Sequence, residues 1–381
     1  MKKTTEDGLR DEIMRGHTPT VQATKKIAAV RGHKVPAAKV VVVGGGLAGL
    51  CATIAAAEAG AIVVLLEKQK SIGGNSAKAT SGINGVCSTP QVEQGVEDSY
   101  DVFRADTIKS GGGLSSPELV ESLVAHSRDA VEWLRDSFDL DLSALSHCGG
   151  HSVARTHRMP PNSEGRPVPV GWTTVSALRT RAEGNSNVTI MTDAAVTRLL
   201  TEDFGEEVSC TGVEYQLAGG TKHMVADAVI LTTGGYAFER GEGSLLKEFV
   251  PSRLSLPTTS GAQADGHGVK MARRDVGAHL VHMDQVQVHP TGLVNPDNPT
   301  DLSKMLAPEA MRGCGGILVT GGGKRFCNEL GTRAYVTGKI MDECGPGFGT
   351  ETNVAYLVMN EATSQAFGMP TLGFYKFKKV R

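Results

Sequence analysis

The stretch VVVVGGGLAGL, Val40 to Leu50, constrains the fold more tightly than any other part of the chain. Lys39 to Val43 reads as a buried strand, Leu47 to Ala59 as an alanine-rich helix, and Ala61 to Glu67 as a second buried strand. Gly44, Gly46 and Gly49 set a G-x-G-x-x-G turn between strand and helix, and the acid Glu67 closes the second strand. Strand, glycine turn, helix, strand and acid in that order define a βαβ unit built to hold a dinucleotide. Gly44 permits the tight turn, Gly46 lets a pyrophosphate approach the backbone, and Gly49 lets helix meet strand. The helix N-terminus offers its positive end to phosphate. Glu67 suits ribose hydroxyls and would repel a 2′-phosphate.

Composition narrows the class. The 381 residues are 40% hydrophobic and 21% charged, as expected of a globular protein with two or three domains. A net charge of -2 supplies no global field for nucleic acid or an anionic membrane, and neither is expected as a partner. The uncharged run Val40 to Ala57 approaches the length of a membrane span, but Gly44 to Gly46 divide it into a β-branched half and an alanine-rich half. Glu6, Asp7, Asp11 and Glu12 make the first residues too acidic for a transit peptide. Seven cysteines, an odd number with no C-x-x-C pair, read as reduced thiols of a soluble intracellular protein, cytoplasmic by default.

Residues 1–37 are polar, of mixed charge, and read as an arm or linker. Ser116-Pro117-Glu118 starts a helix whose apolar positions are Leu119, Leu123, Val124, Val131 and Leu134, with Asp129 and Arg135 turned away. Short strands are expected at Val188 to Met191, Val208 to Val213 and Ala228 to Leu231, the last stopped by Gly234 and Gly235. Beyond about Gln285 the pattern changes to glycine-rich loops and short helices, which places a domain boundary between 285 and 286.

Directly after Glu67 comes SIGGNSAKATSGING, Ser71 to Gly85, where a simple NAD domain would proceed to its next helix. That run resembles the GGN(S/A)…(S/G)GxN segment of the fumarate reductase and succinate dehydrogenase flavoproteins. DAVILTTGGY (Asp227 to Tyr236), ADGHG (Ala264 to Gly268), HPTG, LAPEAMRG and KRFCNELGTR follow in that family's order. The likeness is strongest to the soluble fumarate reductases, the multidomain NADH-dependent ones included. It implies an α/β fold: a Rossmann-like FAD-binding domain, residues 38–285, with an inserted α+β capping domain, incomplete here, in residues 286–381. It implies FAD contacts from Ala48, Glu67, Asn75, Ser76, Ser81, Gly82 and Asp265, with Gly44, Gly46, Gly49, Gly74, Gly234 and Gly235 shaping the bed. No histidine lies between Glu67 and Gly85, where membrane-bound relatives attach flavin covalently, so the FAD is expected to be noncovalent.

The same resemblance assigns chemistry to charged residues. Glu309 and Arg312, three positions apart, would otherwise read as a solvated pair on one helical turn. In the family pattern Arg333 delivers a proton to a fumarate-like dicarboxylate, Glu309 and Arg312 relay replacements, and His289 and Glu309 help hold substrate. His147, Cys148, His151 and His157 have donor atoms for a metal, but their close spacing among glycines favours a structured loop over the flavin domain, and no metal is expected. The family's returning C-terminal segment, which carries a second substrate histidine and a clamping arginine, has no counterpart before Arg381, and neither does an electron-donor domain. The donor would be a domain or protein not present in this chain. The alternatives are a reductase or oxidase of another acid, urocanate or aspartate, and a flavin-binding protein without turnover.

Overall fold

The computed structural model describes residues 37–205 and 207–378, so the expected N-terminal arm lies outside the described residues apart from its last position. Strand β1 (Lys39–Val43) turns into helix α1 (Leu47–Glu58) and returns as β2 (Ile62–Leu66). A 3-10 turn at Ser76–Lys78 precedes β3 (Ile83–Asn84) and helices α2 (Thr89–Glu93), α3 (Tyr100–Gly111) and α4 (Pro117–Phe138). Next come β4 (Ala144–Ser146), β5 (Thr156–Arg158), α5 (Val170–Glu183) and β6 (Val188–Met191). A meander of β7 (Ala195–Phe204), β8 (Glu207–Leu217) and β9 (Gly220–Val225) leads to β10 (Ala228–Leu231).

The central sheet is parallel, in the order β10-β1-β2-β6, with Val41 opposite both Val64 and Val229. Parallel strands are covered on both faces, which is why β1 reads as an unbroken valine run rather than an alternation. One face packs Val42, Leu65, Leu50, Ile54 and Leu178 beneath α1 and α5. The other packs Val41, Val43 and Leu66 against Val213 and Tyr215 of the antiparallel β7-β8-β9 sheet. Burying one such aliphatic side chain contributes about 1.5 to 3 kcal/mol, so this sandwich holds the glycine turn at its edge rigid.

Helix α4 begins at Pro117, as Ser116-Pro117-Glu118 suggests, but its buried stripe differs from the expected one. Leu119 and Leu123 are 72% and 52% exposed, while Val120, Val124, Val131 and Leu134 are buried. Two apolar stripes start one residue apart in this sequence, and Val120 and Val124 win because they meet Val86 and Phe103.

After α6 (Leu245–Phe249) and α7 (His267–Val276), the second half is built from β11 (Gly292–Leu293), β12 (Met305–Leu306), α8 (Glu309–Gly313), β13 (Ile317–Val319), α9 (Arg333–Glu343), β14 (Tyr356–Val358), α10 (Glu361–Phe367) and α11 (Met369–Phe377). Its core gathers Ala307, Ala310, Met311, Phe367 and Tyr375. Thr258 donates its N–H to the Leu302 carbonyl at 2.7 Å and accepts from Lys304 at 2.8 Å. Pairing with this half therefore begins upstream of the boundary expected at residue 285. The seven cysteines are all unpaired. No described helix is long and apolar enough to cross a membrane.

Candidate active site and cofactor groove

A groove of about 510 Å³ runs along the carboxyl ends of β1, β2 and β10. Its floor is the turn after β1. Gly44 sits at φ +103°, and a Cβ there would lie 2.7 Å from the Thr232 carbonyl oxygen; a Cβ on Gly49 would lie 1.9 Å from the Gly44 oxygen. The Thr232 hydroxyl ties the end of β10 to this turn, donating toward the carbonyls of Val43 (2.9 Å) and Gly44 (2.8 Å). Sequence reasoning passed over Thr232, although it directly precedes the Thr233-Gly234-Gly235 stop. The Glu67 carboxylate is buried and accepts the N–H groups of Gly45 (2.7 Å) and Gln69 (2.8 Å). It therefore braces the glycine turn while lining the groove.

The wall takes Gly44, Gly46, Ala48, Glu67, Gly74, Asn75, Ser76, Gly234 and Gly235 from the expected positions. Gly49 lies behind the floor, at the contact of α1 with β1. Gly82 packs on β5, where a Cβ would meet the His157 carbonyl oxygen at 2.0 Å; it and Ser81 are outside the described wall. Asp265 is also off the wall. Both its oxygens accept from Lys68 Nζ (2.8 and 2.7 Å), and this pairing outweighs burial to hold its carboxyl below the usual range. Lys68 also donates to the Gln263 carbonyl at 3.0 Å, so the pair clips the end of β2 to the loop before α7.

The groove fits a dinucleotide flavin on the chain's own geometry. A Cβ on Gly234 or Gly235 would meet nothing within 4 Å, and one on Gly46 only the Ser76 hydroxyl, at 3.7 Å. The backbone is thus bared toward the space a cofactor would fill, beside the N-terminus of α1.

A second constellation forms where α8 meets α9. Glu309 and Arg312 are 6% and 2% exposed, so this is not a solvated pair. Arg333, the first residue of α9, straddles the Glu309 carboxylate, Nε to Oε1 at 2.7 Å and Nη2 to Oε2 at 3.2 Å. Its Nη1 donates to Gln287 Oε1 at 2.8 Å, a partner the sequence did not single out. Arg312 Nη1 donates to the Glu329 carbonyl at 2.6 Å, and its Nη2 stands 3.5 Å from Glu309, in ion-pair range but without a hydrogen bond. The Glu329 carboxylate, in the NELGTR segment, braces Leu318 N–H (2.9 Å) and Arg325 (2.7 Å).

Burial would raise the Glu309 pKa, but Arg333, with Arg312, outweighs it and keeps the carboxylate ionised. For Arg333, burial would favour proton loss, yet the Glu309 contact prevails and raises its pKa. His289 lies on the rim of a neighbouring cleft of about 580 Å³, its Nδ1 3.1 Å from the Thr291 oxygen and 3.3 Å from the Thr291 nitrogen. Burial and then Arg333 lower its pKa to about 4, so its imidazole is neutral at pH 7.

The His147–His151 loop packs on this constellation rather than over the flavin domain as expected. Gly150 N–H donates to the Leu330 carbonyl at 2.9 Å. His157 points elsewhere, its Nε2 2.6 Å from the Ser88 hydroxyl. Among the described residues no group of three or more His, Cys, Asp or Glu side chains is placed to hold a metal ion.

A doubly covered parallel sheet with a glycine-floored groove at its carboxyl edge defines a dinucleotide-binding flavoprotein fold. The sequence matches the FAD binding domain family over residues 39–368, and the chain belongs to that family, among its fumarate reductase flavoproteins, with FAD as the cofactor. It is 42% identical over 341 residues to the fumarate reductase of Schizosaccharomyces pombe, covering 89% of this chain and 64% of that protein. It is 43% identical over 349 residues to fumarate reductase 1 of Saccharomyces cerevisiae, covering 90% and 70%. Among solved structures, the open conformation of a flavocytochrome c3 fumarate reductase matches with a TM-score of 0.70 at 28% identity, over 95% of this chain and 60% of that one.

Proposed function

We propose that the protein reduces fumarate to succinate with noncovalently bound FAD, Arg333 acting as proton donor. The observation that carries this reading is the two-pronged contact of Arg333 with a buried, ionised Glu309 that also faces Arg312 and His289. FAD, when bound, supplies a hydride to one carbon of the double bond. The chain's residues supply the rest. Neutral His289 donates a hydrogen bond to a substrate carboxylate without adding charge. Arg333 is a poor acid in water, since a guanidinium ordinarily loses its proton only above about pH 12. Beside a carbon gaining negative charge, with water excluded, it gives up a proton, and the Glu309 carboxylate, 2.7 Å away, first takes a proton from the Arg312 side and then passes it to Arg333.

Reducing equivalents are assigned ultimately to NADH, through a domain or partner other than the residues described. The support is a 32% identity, over 90% of this chain and 34% of that protein, to the NADH:fumarate oxidoreductase of Klebsiella pneumoniae. The reading is tested by fumarate-dependent oxidation of a reduced viologen, with succinate quantified. Flavin-loaded protein that forms no succinate would overturn it.

A further inference from the structure

Three buried polar atoms in or near the Glu309 constellation have no hydrogen-bond partner: Arg312 Nε, Arg312 Nη2, which is only in ion-pair range of Glu309, and His151 Nδ1. Buried donors and acceptors are rarely left so, and where protein atoms do not pair them, ordered water does. Both side chains belong to one packed region. A Cβ on Gly149 would lie 3.5 Å from Arg312 Nη1 and 2.7 Å from the Gly331 carbonyl oxygen, so the loop rests directly on Arg312. One Arg312 hydrogen-bond partner is already fixed, the Glu329 carbonyl, which leaves Nε and Nη2 without a hydrogen bond.

The loop is also held at its outer end. His147 Nε2 is 2.6 Å from the His151 carbonyl oxygen, and Ser152 donates its N–H and hydroxyl to Asp106 at 2.8 and 2.6 Å. Asp106 in turn accepts from buried Arg155 at 2.6 Å. The His151 imidazole is within electrostatic range of Arg155, Asp106, Glu309 and His147, and the residue's backbone N–H donates to the Cys148 carbonyl at 3.3 Å. The residue is partly exposed, although Nδ1 is buried. Cys148 is no substitute for water: it is buried, burial raises its pKa, and a neutral thiol is a weak acceptor.

We propose that ordered water beneath the His147–His151 loop joins Arg312 to His151, and that His151 is the group through which solvent protons reach Glu309. This rests on the relay reading above. Each carrier gives one proton and takes one: Arg333 gives its proton to substrate, the ionised Glu309 takes one from the Arg312–water edge and passes it to Arg333, and His151 gives one to the water from Nδ1 as it takes one at Nε2. The charge returns to its starting state once His151 has been reprotonated from solvent. Burial, with Arg155, holds the His151 pKa below its ordinary value, so the imidazole is neutral and able to pass a proton between its two nitrogens.

The test has two arms. A crystal structure of the protein should show water within hydrogen-bonding distance of Arg312 Nε or Nη2 and of His151 Nδ1; those atoms paired to protein groups instead would overturn the proposal. In the second arm, His151→Ala should slow fumarate reduction about tenfold at unchanged KM and unchanged flavin content, with a larger solvent deuterium isotope effect, and added imidazole should restore the rate. His151→Gln serves where the alanine variant is unstable, and should be slowed likewise. Parental rate and isotope effect in both variants would overturn the proposal. Glu309→Gln run in parallel separates the readings: if it is slow while the His151 variants are not, only the water route fails; if it too is parental, the relay itself fails.

Discussion

The cofactor groove and the Glu309–Arg333 constellation solve opposite problems. The groove is made mostly of backbone. Its floor is a glycine turn, its one buried acid is spent on the amides of Gly45 and Gln69, and its shape is fixed by a sheet packed on both faces. The constellation is made of polar side chains, the charged Glu309 and Arg312 of α8 and Arg333 at the start of α9 with the neutral Gln287 and His289, and is held by hydrogen bonds and ion pairs under the His147–His151 loop. A backbone site tolerates changes of charge and fails on changes of shape. A side-chain site does the reverse. Binding and proton delivery should therefore separate under mutation.

The largest expected effect is at Arg333. Arg333→Ala should lower fumarate reduction by about 10³-fold or more, about 4 kcal/mol of barrier, with flavin absorbance per protein unchanged after gel filtration. Loss of flavin together with rate would show that the two regions are not independent. Gly49→Ala is the converse, since its Cβ would lie 1.9 Å from the Gly44 carbonyl oxygen. It should cost about 3 kcal/mol in thermal unfolding and empty the groove. A flavin-loaded, equally stable variant would contradict the close approach of α1 to β1.

Glu67→Ala leaves the buried Gly45 N–H without its acceptor, worth about 1 to 3 kcal/mol, and frees the part-buried Gln69 N–H, so flavin occupancy should fall well before activity per bound flavin does. The absorbance ratio after gel filtration reports this directly. A subtler effect concerns pH. His289 titrates at about 4 in the folded protein, against about 6.5 in an unfolded chain. Between those values the unfolded chain binds more protons, so the stability its neutral state contributes is present above about pH 6.5 and is lost as pH falls toward 4. His289→Gln should flatten that limb by about 1 to 3 kcal/mol in melts taken across this range. An unchanged limb would mean His289 is not held neutral.

The same contrast explains what the sequence disclosed. β1, α1 and β2 follow from contiguous residues, and β10 falls on Ala228–Leu231 as the run of apolar residues suggests. The charged constellation has no local signature. Glu309 and Arg333 are 24 positions apart, and only a resemblance of ordered motifs brought them together. Partners that no motif marks stayed hidden: Gln287 beside Arg333, Thr232 locking the glycine turn, and the Lys68–Asp265 clip, which spans 197 positions. Leu119 and Leu123 misled because two apolar stripes overlap in α4, and only packing against Val86 and Phe103 decides between them.

The central claim is that Glu309 carries protons rather than merely anchoring Arg333. The most direct measurement is steady-state fumarate reduction by Glu309→Gln with a reduced viologen donor, alongside flavin content and a thermal melt. The amide keeps the shape and loses the exchangeable acid. The account predicts normal flavin, KM within about twofold, and kcat lowered by about 10²-fold or more. Near-parental kcat would contradict it and leave Glu309 a structural counter-ion.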